Sequence, residues 1–251
     1  MRALVIEHDP MCPAGTVGDR LVQRGFDLTR LTVVPAERRE RPDVECAFPG
    51  AAGWDLIVTL GAPWSVDDEA AIGSWIGGEL ALLREAHRAG TPVLGVCFGG
   101  QALATALGGG VERAPRIELG WSEIETEEPS LVAPGPWFEY HTDRWAVPPG
   151  AVEVARNDIG SQAFRIGRSL GVQFHPEVTL PIVETWLEYG AKQGVVADGL
   201  LDRTKGMLAA AERRAHALVD GFLDHVALSR PMGSRPVRSV PAESRAGRMQ
   251  A

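Results

Sequence analysis

Short apolar runs alternate along the chain with stretches in which apolar residues recur at helical spacing. Arg2 to Ile6 is a compact, largely aliphatic run that predicts a buried first strand, closed by Glu7-His8-Asp9-Pro10. Gly15 to Arg24 carries Val17, Leu21 and Val22 at helical spacing, with Gly25 as the stop. Phe26 to Val34 reads as a second strand, and Asp43 to Ala52 as a loop with a partial turn. Asp55 to Leu60 is another buried strand, running into Gly61-Ala62-Pro63-Trp64-Ser65. The acidic residues Asp67, Asp68 and Glu69 suit a helix start, and the helix runs through Trp75, Leu80, Leu83 and Arg88 to Gly90. Thr91 to Val96 is a strand and Gln101 to Leu107 a helix. This rhythm predicts a parallel sheet with helices on both faces.

The grammar changes from Gly108. Val111 to Arg113, Ile117 to Leu119, Ser122 to Thr126, Trp145 to Val147 and Val152 to Ala155 are strand-like pieces split by Gly and Pro. They predict antiparallel strands added to the core sheet. Gln162 to Ile166 and Ser169 to Phe174 form a hairpin pattern around Gly167-Arg168, and Glu184 to Lys192 is helical. A long helix covers about 196–226. The expectation is an α/β fold with a single domain over 1–228 and a disordered basic tail over 229–251.

Composition narrows the class. With 45% hydrophobic and 23% charged residues, the chain of 251 is ordinary for a globular protein. A net charge of −8 argues against nucleic-acid binding, even though the stretch from Arg230 carries five arginines against one glutamate. No run is long and apolar enough to span a membrane, and the N-terminus reaches charge too soon for a secretory leader. Cys12, Cys46 and Cys97 are odd in number and lack metal spacing. They predict reduced thiols in a cytoplasmic protein, with no metal and no cofactor.

One cysteine stands apart. In Gly95-Val96-Cys97-Phe98-Gly99-Gly100-Gln101 it sits at a strand-to-helix joint flanked by glycines, the arrangement of a nucleophile elbow. The helix N-terminus behind it favours the thiolate. A buried structural thiol is the alternative for this stretch alone. The second signal lies 78 residues on, in Gly171-Val-Gln-Phe-His175-Pro-Glu177-Val. In extended chain His175 and Glu177 point to one side, so the carboxylate can orient the imidazole toward a thiol. Pro176 between them stiffens the pair.

Together these motifs resemble the class I (triad-type) glutamine amidotransferases, and most of all stand-alone proteins similar to the amidotransferase domain of GMP synthase. Leu60 to Val66, Tyr140-His141-Thr142-Asp143 and the opening strand through His8 extend the resemblance over roughly residues 2–190. It implies a flavodoxin-like three-layer sandwich with a central, mostly parallel sheet and added antiparallel strands. It also implies that Cys97 attacks the side-chain amide of glutamine, that His175 moves the proton and that Glu177 orients His175, through a γ-glutamyl thioester. The oxyanion would sit between the N–H of Phe98 and the Gly61-Ala62 turn. Gln101 would hold the α-amino and carboxylate end of glutamine, with the Tyr140 to Asp143 segment, as a loop, closing over it. Trp64 adds bulk beside the pocket.

There is a departure at the oxyanion turn. The family often has Gly-Gly-Pro-Gly, whereas this chain has Gly-Ala-Pro-Trp, and Ala62 would be strained wherever a positive φ is required. Two other readings share the motifs: a hydrolase of γ-glutamyl peptides or conjugates, and a non-catalytic regulatory subunit that keeps the fold. The chain contains no P-loop or pyrophosphatase loop. The expected partners are therefore L-glutamine or another γ-glutamyl compound and a separate synthetase that activates the ammonia acceptor. The remaining histidines divide: His8 is expected in the core or sheet rim, His141 at the pocket, and His87, His216 and His225 in solvent. Glu125, Glu127 and Glu128 read as a solvated turn, and Trp54, Trp75, Trp121, Trp137, Trp145 and Trp186 as packing residues.

Overall fold

The computed structural model describes residues 1–227, so the expected basic tail over 229–251 lies outside the described residues. Strands β1 (Arg2–Glu7), β2 (Asp27–Thr32), β3 (Leu56–Thr59), β4 (Val93–Val96) and a final strand, β9 (Ser169–Val172), pair in parallel in the order β2-β1-β3-β4-β9. That is the flavodoxin-like order, in which ligands bind at the carboxyl ends of the strands. Successive side chains of β1 feed opposite layers. Ala3 and Val5 join the core beneath α1 (Gly15–Gln23) and α5 (Leu200–Gly221), while Leu4 and Ile6 join the core beneath α2 (Glu69–Ala89) and α3 (Phe98–Ala106). A third apolar cluster seats α4 (Leu180–Lys192) on Trp121 and Phe138.

The sheet continues in antiparallel fashion through β8 (Ser161–Ile166), β7 (Val152–Arg156), β5 (Gly110–Thr126) and β6 (Gly135–Ala146). Here the structure corrects the sequence reading. The three short pieces between Val111 and Thr126 are one 17-residue strand. A bulge takes up Ala114 to Ile117, because Arg113 pairs with Asp143 while Glu118 pairs with His141. The bulge accommodates Pro115, which has no N–H for a regular ladder. Likewise Tyr140 to Asp143 is the middle of β6 and not a loop. Glu125 belongs to β5, and Glu128 pairs with Arg165 at 2.8 Å. The long C-terminal helix begins at Leu200 and passes at Phe222 into a π-type turn ending at Ala227.

Among the described residues no helix is long and apolar enough to cross a membrane. Leu94, fully buried in β4 immediately before the cysteine turn, tests the layer packing. Leu94→Ala is expected to lower unfolding free energy by about 2–5 kcal/mol. In urea titration this reads as a lower midpoint with unchanged m; a loss well under 1 kcal/mol would contradict the packing described.

Candidate active site

The turn from β4 into α3 is built by exclusion. A Cβ on Gly95 would lie 2.7 Å from the Gly99 carbonyl, and one on Gly100 would lie 2.9 Å from the Trp145 ring. Gly99 rides against the backbone of Thr59 and donates its N–H to Leu60 O at 3.0 Å. These contacts push the end of β4 tight under α3. Cys97 absorbs the reversal with φ 51° and ψ −110°, and among the described residues it alone has a positive φ without being glycine. Such a conformation costs about 1–3 kcal/mol and persists only where surrounding packing imposes it. Cys97 N–H donates to Val172 O at 2.8 Å, which ties the cysteine to β9, the strand that leads to His175.

After β9 the chain stays extended, so Gln173, His175 and Glu177 share a side. His175 Nδ1 lies 2.7 Å from Glu177 Oε1. Its backbone N–H donates to Phe138 O at 2.8 Å, and Trp186 stands edge-on to the ring at 4.7 Å between centroids. A Cβ on Gly61 would fall 3.3 Å from His175 Cε1 and 3.9 Å from Cys97 Cβ, so the three residues converge. Burial works against a charged His175, but the charges of Glu177 and Cys97 outweigh it and hold the imidazole well above its ordinary value. Glu177 is itself fully buried, its backbone carbonyl capped by Thr16 N–H at 3.1 Å. Glycine at 15 permits that approach.

The Gly61-Ala62 turn is also held from below. Glu79 on α2 accepts from Thr59 Oγ1 at 2.5 Å and lies 2.9 Å from His8 Nε2, while His8 Nδ1 sits 3.4 Å from Gly61 O. His8 is thus a core residue, as expected, and it faces the carbonyl of the Gly61-Ala62 peptide. In a planar trans peptide that fixes the Ala62 N–H in the opposite direction. Ala62 does not have a positive φ, so alanine is accommodated here without the strain considered above.

Cys97, Phe98, Ala62, Trp64, Gln101, Tyr140, His141 and His175 line one cavity of about 430 Å³. Gly61 backs the cysteine and histidine, and Glu177 lies behind His175. Gln101 is 3% exposed, and its amide donates to Asp143 O at 3.1 Å and to Gln173 Oε1 at 3.3 Å. Gln173 in turn donates to Cys97 Sγ at 3.6 Å. Gln173 escaped the sequence reading, although its place two residues before His175 was the available signal. Cys12 also reaches the cavity, and burial followed by the charges of Asp9 and Glu177 pushes its thiol well up, leaving it protonated and a poor nucleophile. His141 lies at the pocket as expected, 3.0 Å from Glu118 and 3.2 Å from Glu139. Burial opposes its charge, but the two carboxylates raise it to about 10, while burial raises Glu139 to about 7.

The backbone at residue 97 yields a prediction independent of chemistry. Cys97→Gly is expected to be more stable than Cys97→Ala by about 1 kcal/mol, since glycine relieves the positive φ and offsets its entropy cost. Thermal unfolding of the two variants measures this; Cys97→Ala as the more stable variant would contradict the strained turn.

The profile of the family described as "Glutamine amidotransferase class-I" matches residues 15–185. The GMP synthase [glutamine-hydrolyzing] of Thermus thermophilus is 37% identical over 127 residues, 45% of this chain and 25% of that protein. The enzyme of the same description from Aeropyrum pernix is 35% identical over 159 residues, 56% of this chain and 28% of that protein. The match thus spans about a quarter of the length of these relatives. Among solved structures, a glutamine amidotransferase from Methylobacillus flagellatus superposes with a TM-score of 0.76 at 24% identity, covering 91% of this chain and 96% of that one. One from Thermotoga maritima gives 0.76 at 22% identity, with 89% and 98% coverage. These two likenesses establish the fold.

Proposed function

The chain belongs to the class I glutamine amidotransferase family, and on that footing we propose that it hydrolyses the side-chain amide of glutamine through a thioester on Cys97. The observation that carries this reading is the His175–Glu177 pair at 2.7 Å beside a cysteine held at positive φ. His175, held charged by its neighbours, stands against the Cys97 sulfur and in this reading exchanges the thiol proton. The thiolate attacks the amide carbon, and the C=O pair moves onto oxygen. Phe98 opens α3, so its N–H lacks an intrahelical acceptor and is free to meet that oxyanion together with the Ala62 N–H. Each such donor is worth about 3–4 kcal/mol in the transition state. His175 then protonates the nitrogen, the C–N bond breaks and ammonia leaves. Water, deprotonated by His175, attacks the γ-glutamyl thioester, and the S–C bond breaks to release glutamate and restore the thiolate. Ammonia passes to a separate synthetase or is released.

The Gln101–Gln173 link serves the nucleophile. Gln173 donates to the sulfur, and Gln101 locks the Gln173 amide in that orientation. A second reading, turnover of γ-glutamyl conjugates, is favoured by Trp64, Ile117 and Arg113 at the rim of a cavity within the size range of pockets that take drug-sized ligands.

Ammonia release from glutamine, measured by a coupled dehydrogenase assay in the wild type and Cys97→Ala, tests the first reading against the second. Turnover of glutamine that Cys97→Ala abolishes supports it. Turnover of γ-glutamyl peptides with inertness to glutamine replaces it with the second. Glu177→Gln is expected to lower kcat/KM by about 10³-fold or more, as removal of an orienting acid does in other triads. It also removes a charge that raises His175, so the alkaline limb of the pH–rate profile, which marks loss of the imidazolium, moves to lower pH. A limb that stays in place would show that Glu177 does not set the histidine. Gln173→Leu is expected to lower kcat/KM for glutamine while leaving the melting temperature nearly unchanged, which a purely packing role would not produce.

A further inference from the structure

Beside the cavity, β5 and β6 bring together three ionisable side chains that the proposed mechanism does not use. Glu118 and His141 are direct cross-strand partners, and Glu139 lies two residues before His141 on the same face of β6. All three are buried, with one ligand atom from each within 4.8 Å of the others. His141 Nδ1 lies 2.9 Å from the carbonyl of Asp143, an arrangement in which that nitrogen must carry the proton and donate. The other nitrogen, Nε2, is therefore turned toward Glu118 Oε2 at 3.0 Å and Glu139 Oε2 at 3.2 Å. Both are ion-pair contacts, so His141 Nε2 and the two carboxylate oxygens converge on one point.

Glu139 supplies an independent observation. It is 0% exposed; its Oε1 has no hydrogen-bond partner, while its Oε2 faces His141 Nε2 at 3.2 Å. A buried carboxylate in that condition is costly unless a proton or a cation lies against it. Glu118, in contrast, is braced as a metal-bound carboxylate usually is: Asn157 Nδ2 donates to Oε1 at 2.8 Å and Gln162 Nε2 to Oε2 at 2.9 Å. A metal-bound histidine likewise donates its second ring N–H to a carbonyl or carboxylate, as His141 does to Asp143. Gln162 is 1% exposed, and its Oε1 is a further buried acceptor without a partner.

We infer that Glu118, Glu139 and His141 form a site for one small divalent transition-metal cation of the Zn²⁺ class. Bonds of about 2.0–2.1 Å in a tetrahedral site put ligand atoms roughly 3.3 Å apart, close to the 3.0 and 3.2 Å that separate His141 Nε2 from the two carboxylate oxygens. Charge agrees as well. Two carboxylates and a neutral imidazole balance a dication. The cation clamps β5 to β6 next to Asp143, whose carbonyl also receives Gln101 from the elbow helix. It is a structural clamp, and no step of the hydrolysis runs through it. No spacing along the chain announces this site, because Glu118 meets His141 only through strand pairing.

The test uses the full chain in a Cys97→Ala background, so that the reactive thiol cannot bind metal. The protein is purified without a metal-affinity tag, and its metal content is measured by plasma mass spectrometry. It is then stripped with chelator and titrated with Zn²⁺ against a chromophoric competitor, with Glu139→Gln alongside. One equivalent per chain, a raised melting temperature on reloading, and about 10–100-fold or greater weakening in Glu139→Gln support the proposal. No saturable one-to-one binding by the stripped protein, or equal binding by Glu139→Gln, overturns it and leaves a proton-bridged ion pair. If Glu139→Gln does not fold, anomalous diffraction at the zinc edge from Zn²⁺-loaded crystals of the Cys97→Ala chain decides, by a peak among the three side chains or none.

Discussion

The backbone reversal at Cys97 is the constraint on which the site depends. A positive φ on a residue with a Cβ is unfavourable in isolation, and here it is enforced from three sides. Gly95 brings the end of β4 against α3, Gly99 brings α3 against Thr59, and Gly100 lets Trp145 and β9 close in. Each glycine is required by contact distance and not by its own dihedral angles, since none of the three has a positive φ. The strain places the sulfur at the carboxyl edge of the sheet with a helix N-terminus behind it. The remaining pieces of the site arrive at that point on other elements: His175 from the end of β9, and Gly61 from the end of β3.

Buried polar groups stabilise the arrangement through their side-chain and backbone partners. His175 is charged against the tendency of its burial because Glu177 and Cys97 face it. The peptide at Gly61-Ala62 is oriented by a chain that runs Thr59, Glu79, His8. Gln101 and Gln173 join the elbow helix to the strand that carries the histidine. Such networks are costly when one member is removed, since a buried partner is then left unpaired.

Much of this was legible in the sequence, for physical reasons. The inner parallel strands are buried on both faces and so read as short continuous apolar runs, as in Leu56 to Thr59 and Val93 to Val96. The cysteine, histidine and glutamate lie in local motifs whose geometry follows from chain direction alone. What escaped depended on pairing between distant segments. Pro115 and Gly120 broke the pattern of β5, and only the ladder with β6 shows that a bulge absorbs the first and a positive φ the second. Glu79 looks like one more charge on an amphipathic helix until His8 is found against it. Gln101 stood out by motif, but its partner Gln173 is 72 residues away.

The central claim is that Cys97 is the nucleophile of a γ-glutamyl site, and covalent trapping reads it directly. Wild type and Cys97→Ala would be treated with a diazo-ketone analogue of glutamine and weighed by intact-mass spectrometry. The account predicts one adduct on the wild type and none on the variant. An adduct that persists in Cys97→Ala, or a wild type left unlabelled while its cysteine remains open to a small alkylating agent, would contradict it.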